Sequence, residues 1–247
     1  SASLRLCARL SVLLTVLLVG QAGCGTSWRQ READRLHLDE APFAAIRPLV
    51  ETGRGAEARA ALDGMAAPTR RTPAWAYLSG RASLAQGNAT AAVHEFERAR
   101  DGLAGSILVE NDLGAALVRA GRAREAVDLY ARIAAAEPED REIALNLAAA
   151  RYAAGDTVEA QRGFARLATE RPDWFEARFN HGLAALANHD FTLATSELRA
   201  ALKLSAWNRD VLVALTAACG LAKDESCAET AGREAVSRYP DDAAVRL

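Results

Sequence analysis

Small and bulky apolar positions follow one another along this chain in an order that returns every 34 residues. Six alanines mark the return: Ala58, Ala92, Ala126, Ala160, Ala194 and Ala228. Four residues after the alanine stands a bulky apolar side chain in five of the six periods, at Leu62, Phe96, Tyr130, Phe164 and Leu198. That spacing puts both residues on one face of a helix. Five residues before the alanine stand Gly53, Gly87, Gly121 and Gly155. Twelve before it stand Gly80, Gly114, Ala148 and Gly182, and twelve after it Pro138, Pro172 and Pro240. Each period therefore predicts two helices of about a dozen residues. The glycine turns the chain between them, and the proline stops the second.

A fixed period of this length means stacked supersecondary units rather than one globular core. No unit buries its apolar face alone, so stability comes from neighbours along a line. The small residue of the first helix and the alanine of the second let two backbones cross closely. The bulky residue is expected to fill the space between one unit and the next. Unit three shows the order best, with Leu113, Gly114, Gly121, Ala126, Tyr130 and Pro138.

This order of small, turn, small, aromatic and proline positions resembles the tetratricopeptide repeat. The resemblance implies an all-α, right-handed solenoid of about six helix-turn-helix units. They run 39–72, 73–106, 107–140, 141–174, 175–208 and 209–242, followed by a tail at 243–247. The end units depart from the pattern. Pro42 and Pro48 fall within the first helix of unit one and predict a short or kinked helix there. In unit six Lys223 replaces the turn glycine and Gly232 the aromatic.

The formal charge is −2. Removing residues 1–23 takes away Arg5 and Arg9 and no acid, which leaves −4. That balance offers no electrostatic footprint for nucleic acid. Arg5 and Arg9 precede an apolar run from Leu10 to Val19, then Gly20-Gln21-Ala22-Gly23-Cys24. A positive start, a short apolar stretch and small residues before a cleavage point read as a secretory signal, too short to span a bilayer. The Ala-Gly-Cys ending resembles a bacterial lipoprotein signal, although Gln21 stands where such signals carry an apolar residue. The resemblance implies lipidation of Cys24, with Gly25 after it directing export to the outer membrane and residues 24–38 as a tether. A plain signal cut near Ala22 and an uncleaved anchor are the alternatives.

Four cysteines then divide cleanly. Cys7 leaves with the signal and Cys24 takes the lipid. Cys219 and Cys227 remain, flanking the turn of unit six. In an oxidising compartment such a pair tends to bridge, the alternative being two buried thiols.

No catalytic constellation stands out. His37, His94, His181 and His189 have no metal-ligand spacing. His181 reads as a packed helix residue and His189 as a stand-in for a turn glycine. Phosphate loops, nucleophile elbows and zinc spacings are missing from the sequence. The expectation is a protein that is not an enzyme and uses no cofactor or metal.

The resemblance places function on a concave face lined by the first helices, which in similar arrays holds an extended peptide or a helix. Carried onto this sequence, the groove positions toward the N-terminus are Phe43, Arg47, Tyr77, Arg81, Leu84, Asn111, Val118 and Arg119. Toward the C-terminus they are Leu145, Asn146, Tyr152, Phe179, Asn180, Leu183 and Leu186. Arg47, Arg81 and Arg119 would form a basic stripe suited to carboxylates. Asn146 and Asn180, one period apart, would donate to and accept from a bound backbone. The tyrosine and phenylalanine positions read equally well as core residues between units.

A lipoprotein of this outline is similar to the pilotin and pilus-assembly lipoproteins of type IV and tight-adherence pili, by architecture rather than by residues. That resemblance implies a scaffold, lipid-anchored on the periplasmic face of an outer membrane. Its partner would be an envelope protein such as a secretin or pilus component. A periplasmic chaperone and a scaffold of a polysaccharide-export or cell-wall enzyme complex share the outline.

Overall fold

The computed structural model describes residues 32–206 and 208–242, and all regular structure among them is helical. The signal segment, Cys24, residues 25–31 of the tether and the tail 243–247 lie outside the described residues. Contacts divide the chain into two compact units, 32–150 and 151–242 in the described residues.

In the first unit one helical turn and a run of hydrogen-bonded turns lead to α1 (Arg47–Glu51), a helix of 5 residues with Pro48 at its start. Then come α2 (Gly55–Asp63), α3 (Pro73–Ala85), α4 (Ala89–Gly102), α5 (Ile107–Arg119) and α6 (Ala123–Ala136). The division falls within α7 (Arg141–Ala154). The second unit continues with α8 (Thr157–Glu170), α9 (Phe175–Ala187), α10 (Phe191–Leu204), α11 (Arg209–Leu221) and α12 (Glu225–Arg238).

Local chemistry sets these boundaries. Thr72 caps α3 by accepting from the Trp75 N–H at 3.2 Å, and Pro73 opens that helix where a backbone donor has no intrahelical partner. Asn88, Asp190 and Asp224 cap α4, α10 and α12 in the same way. Between the helices of a pair the chain passes through a left-handed residue. Gly87 and Gly121 hold φ of 77° and 78° there without steric cost, whereas His189 and Lys223 hold 62° and 60° with a Cβ in the way.

Helices pack as antiparallel pairs, α3 on α4, α5 on α6, α9 on α10 and α11 on α12. The bulky residue of the second helix fills the gap left by the small residue of the first helix in the same pair. A Cβ on Gly80 would come 2.7 Å from Phe96, and one on Gly182 would come 2.7 Å from Leu198. This corrects the expectation that the bulky residue bridges neighbouring units. Sixteen residues of helix, turn and helix bring its side chain back across its own hairpin. Phe96, Tyr130 and Leu198 are fully buried, each contributing about 1.5–3 kcal/mol.

The last pair exchanges the sizes. Thr216 stands where its neighbours have glycine, and Gly232 where they have the bulky residue. A Cβ on Gly232 would meet Thr216 at an ordinary 3.5 Å. The turn of this pair is closed by a bond between Cys219 and Cys227, whose Cα atoms lie 5.6 Å apart.

Candidate functional site

Three first helices of the 32–150 unit are wired together by polar side chains. Tyr77 and Arg81 sit one turn apart on α3, so both reach α5 from one face. The Tyr77 hydroxyl donates to Asp112 Oδ2 at 2.9 Å. Arg81 donates to the Tyr77 oxygen at 3.3 Å, and its Nε lies 3.7 Å from Asp112. Asn111 Nδ2 donates to the other Asp112 oxygen at 3.3 Å, and Asn146 Nδ2 on α7 donates to Asn111 Oδ1 at 2.9 Å. Burial, then the Asp112 charge, pushes the Tyr77 hydroxyl above its usual range, so it remains a donor. Arg81 is raised too, first by the Tyr77 oxygen and then by Asp112.

The basic stripe does not stand as expected. Arg47 donates to Glu51 at 2.8 Å and is paired with Asp39, and Arg81 is paired with Asp112. Two of the three guanidiniums thus have carboxylates of their own chain against them. Arg119 is exposed, with no hydrogen bond or ion pair among the described residues. Asp112 was not singled out by sequence. The signal was present, an acid 35 residues after Tyr77 and one position past the Asn111 register.

Most of the other proposed contacts are core residues. Phe43, Tyr77 and Asn111 are buried, and Leu145 and Asn146 are 0% and 1% exposed. In the 151–242 unit Phe179, Asn180 and Leu183 are each 1% exposed, and Leu186 is buried as well. A ligand cannot reach such side chains while the helices stay packed, so they are not groove contacts in this structure. The reason is the width of the apolar stripe. Phe179, Leu183 and Leu186 pack into one cluster with Leu198 and Leu215 rather than facing outward. Leu84, Val118 and Tyr152 are half-buried and retain some surface.

The two asparagines one period apart are not equivalent. Asn146 is tied to Asn111, whereas neither amide atom of Asn180 has a hydrogen-bond partner among the described residues. Beside Asn180 on α9, Arg178 donates to Glu197 of α10 at 2.8 Å, and His181 Nδ1 lies 3.6 Å from the same carboxylate. His181 is buried and its pKa is lowered, by burial first, with Glu197 opposing. The chemistry on offer in both units is hydrogen bonding and ion pairing. Among the described residues no cluster is fit to hold a metal, and no helix is long and apolar enough to cross a membrane.

Residues 117–183 match the tetratricopeptide repeat family. The fold is shared with solved structures of low sequence identity. The Pseudomonas aeruginosa pilF protein superimposes with a TM-score of 0.65 at 13% identity, over 88% of this chain and 96% of that one. A thermophilic tetratricopeptide protein of Thermus thermophilus gives 0.60 at 18% identity, over 71% and 95%. YrrB, described as a tetratricopeptide protein with an unusual peptide-binding site, gives 0.54 at 14% identity, over 72% and 92%. No curated protein matches the sequence. The architecture is an all-α solenoid of tetratricopeptide type.

Proposed function

We propose that this chain is a non-catalytic scaffold of the cell envelope, anchored by lipid at Cys24, that holds a protein partner during assembly of a pilus or secretion complex. The observation that carries this reading is the fold shared with the pilF protein over nearly the whole of both chains. The lipoprotein-like segment ending at Cys24 supports the anchor. Binding is assigned to the first-helix face of the 32–150 unit, where Arg81 and Asp112 keep partial exposure beside the exposed Arg119 and the half-buried Leu84 and Val118. Their mutual pairing holds the guanidinium and the carboxylate in fixed places, which lowers the ordering cost of meeting a partner.

The test is affinity purification of the tagged full chain from detergent-solubilised membranes. One dominant envelope protein is expected, lost in Arg81→Ala and in Asp112→Ala. Cys24→Ala is expected to move the protein to the soluble fraction. Recovery of many unrelated unfolded proteins, insensitive to both substitutions, would replace the scaffold with a chaperone. A Cys24→Ala protein still on the membrane would remove the anchor.

A further inference from the structure

The last helix is fastened at both ends and lightly packed between them. α12 buries Cys227, Ala231 and Ala235 and, among its described residues, no larger side chain. The equivalent helices α4, α6, α8 and α10 bury Phe96, Tyr130, Phe164 and Leu198. At that register α12 has Gly232, and Val236 one turn on is 44% exposed. The turn into the helix passes through Lys223 at a φ of 60°, a conformation that a Cβ disfavours. Packing and backbone therefore hold α12 less firmly than its counterparts.

Two links tie it to α11. In the first turn of α12, Cys227 is bonded to Cys219 in the last turn of α11. Just past the other end of α12, Asp242 accepts at 2.9 Å from Nη2 of Arg209, the first residue of α11. A third link, Arg199 to Asp224 at 3.3 Å, holds the turn before α12 and not the helix itself. Of the three only the disulfide answers to redox chemistry. Cys227 keeps 8% of its surface and Cys219 none, so a small thiol reaches the bond from the Cys227 side.

We propose that α12 is a redox latch, which a dithiol frees from α11 while α9 and α10 stay folded. One thiolate of the dithiol attacks the Cys227 sulfur, the S–S bond breaks, and Cys219 leaves as a thiolate. The second thiolate then attacks the mixed disulfide and expels Cys227. The dithiol is oxidised to a disulfide, and its two protons end on the two reduced cysteines. A disulfide oxidant runs the same exchange backwards and closes the latch. Without the bond the opened stretch regains chain freedom, and only small side chains and one ion pair oppose its local opening. Withdrawal of α12 uncovers Leu215 and Ala218 of α11, which share an apolar cluster with Ala231. The latch belongs to the last hairpin alone and does not depend on the function proposed above.

The test is hydrogen–deuterium exchange of the oxidised full chain, read by mass spectrometry with and without dithiothreitol. On reduction the amides of α12 are expected to exchange about tenfold or more faster, while those of α9 and α10 keep their rates. Oxidised dithiothreitol is expected to restore the slow rate. The Cys219→Ser, Cys227→Ser double variant is expected to show the fast rate with and without dithiothreitol, which separates the bond from any other action of the reagent. Asp242→Asn removes the charge opposite Arg209 and is expected to quicken the reduced chain by about two- to fivefold more. Circular dichroism checks that each variant is folded. An α12 rate unchanged by reduction, α9 and α10 opening together with it, or a folded serine variant that keeps the slow rate would each overturn the proposal.

Discussion

Tyr130 stands so close to Gly114 that a Cβ on the glycine would lie 2.5 Å from the ring's Cζ. The phenol oxygen donates at 2.8 Å to the backbone carbonyl of Asn111, on the same helix as the glycine. The ring therefore uses the missing methyl as its seat. Gly114→Ala is expected to destabilise by about 1–3 kcal/mol through overpacking, although alanine favours a helix by about 1 kcal/mol. Urea unfolding of the variant against the parent measures the balance, and a stabilised variant would falsify the packing account.

The same substitution has the opposite sign in the last hairpin. Gly182→Ala drives a methyl to 2.7 Å from Leu198 and is expected to destabilise, whereas Gly232→Ala meets Thr216 at 3.5 Å and finds room. Gly232→Ala is expected to stabilise by up to about 1 kcal/mol from helix propensity alone. Paired thermal melts decide it. Equal shifts for the two variants would mean that the exchange of sizes has no energetic meaning.

His189 and Lys223 hold the left-handed turn position that glycine occupies elsewhere. His189→Gly and Lys223→Gly are each expected to stabilise by about 1 kcal/mol, from relief of the Cβ contact less the added freedom of the unfolded chain. Calorimetry on the two variants checks the sign, and a lower Tm would show that those side chains hold the turn by other means.

His181 gives the 151–242 unit a pH dependence of known sign. Burial lowers its pKa, with the Glu197 carboxylate partly opposing and Arg178 reinforcing. The folded chain thus keeps the ring neutral where the unfolded chain, near its usual value of about 6.5, takes up a proton. Stability is whole above that value and is lost as pH falls through it toward the folded value. Urea midpoints measured at about pH 7.5 and pH 5 are expected to differ less in His181→Gln than in the parent. An unchanged difference would assign the slope to other groups.

The bond between Cys219 and Cys227 closes a short loop with a sequence separation of 8. Opening it is expected to cost the second unit about 2–3 kcal/mol on the chain-entropy account. Melting of the Cys219→Ser, Cys227→Ser double variant tests this against the oxidised parent. Thiol labelling of the parent without reductant, read by mass, tells whether the pair is joined in the isolated protein.

The fold was legible because one register carries it. The Gly87 and Gly121 turns and the helix pairs repeat at fixed spacing, so each strengthens the reading of the others, whereas the period did not show that Tyr130 seats on Gly114 of its own hairpin. His189 at the turn position and His181 as a packed residue were legible for the same reason. The surface was not. A period fixes which residues are equivalent but not which way the helix rolls, and a small roll turns Asn111, Phe179 and Leu183 from a groove into the core. Partners across helices were hidden as well. Nothing in the spacing of Arg81 by itself shows that Asp112 stands against it.

Asp112 is the acceptor at which the donors from Tyr77, Arg81 and Asn111 converge, with Asn146 reaching it through Asn111. Stacked hairpins held by neighbour contacts alone would unzip one at a time from an end. Here Asp112 and its neighbour Asn111, side by side on α5, tie α3 and α7 to the middle helix, so losing α5 frees both of its flanks at once.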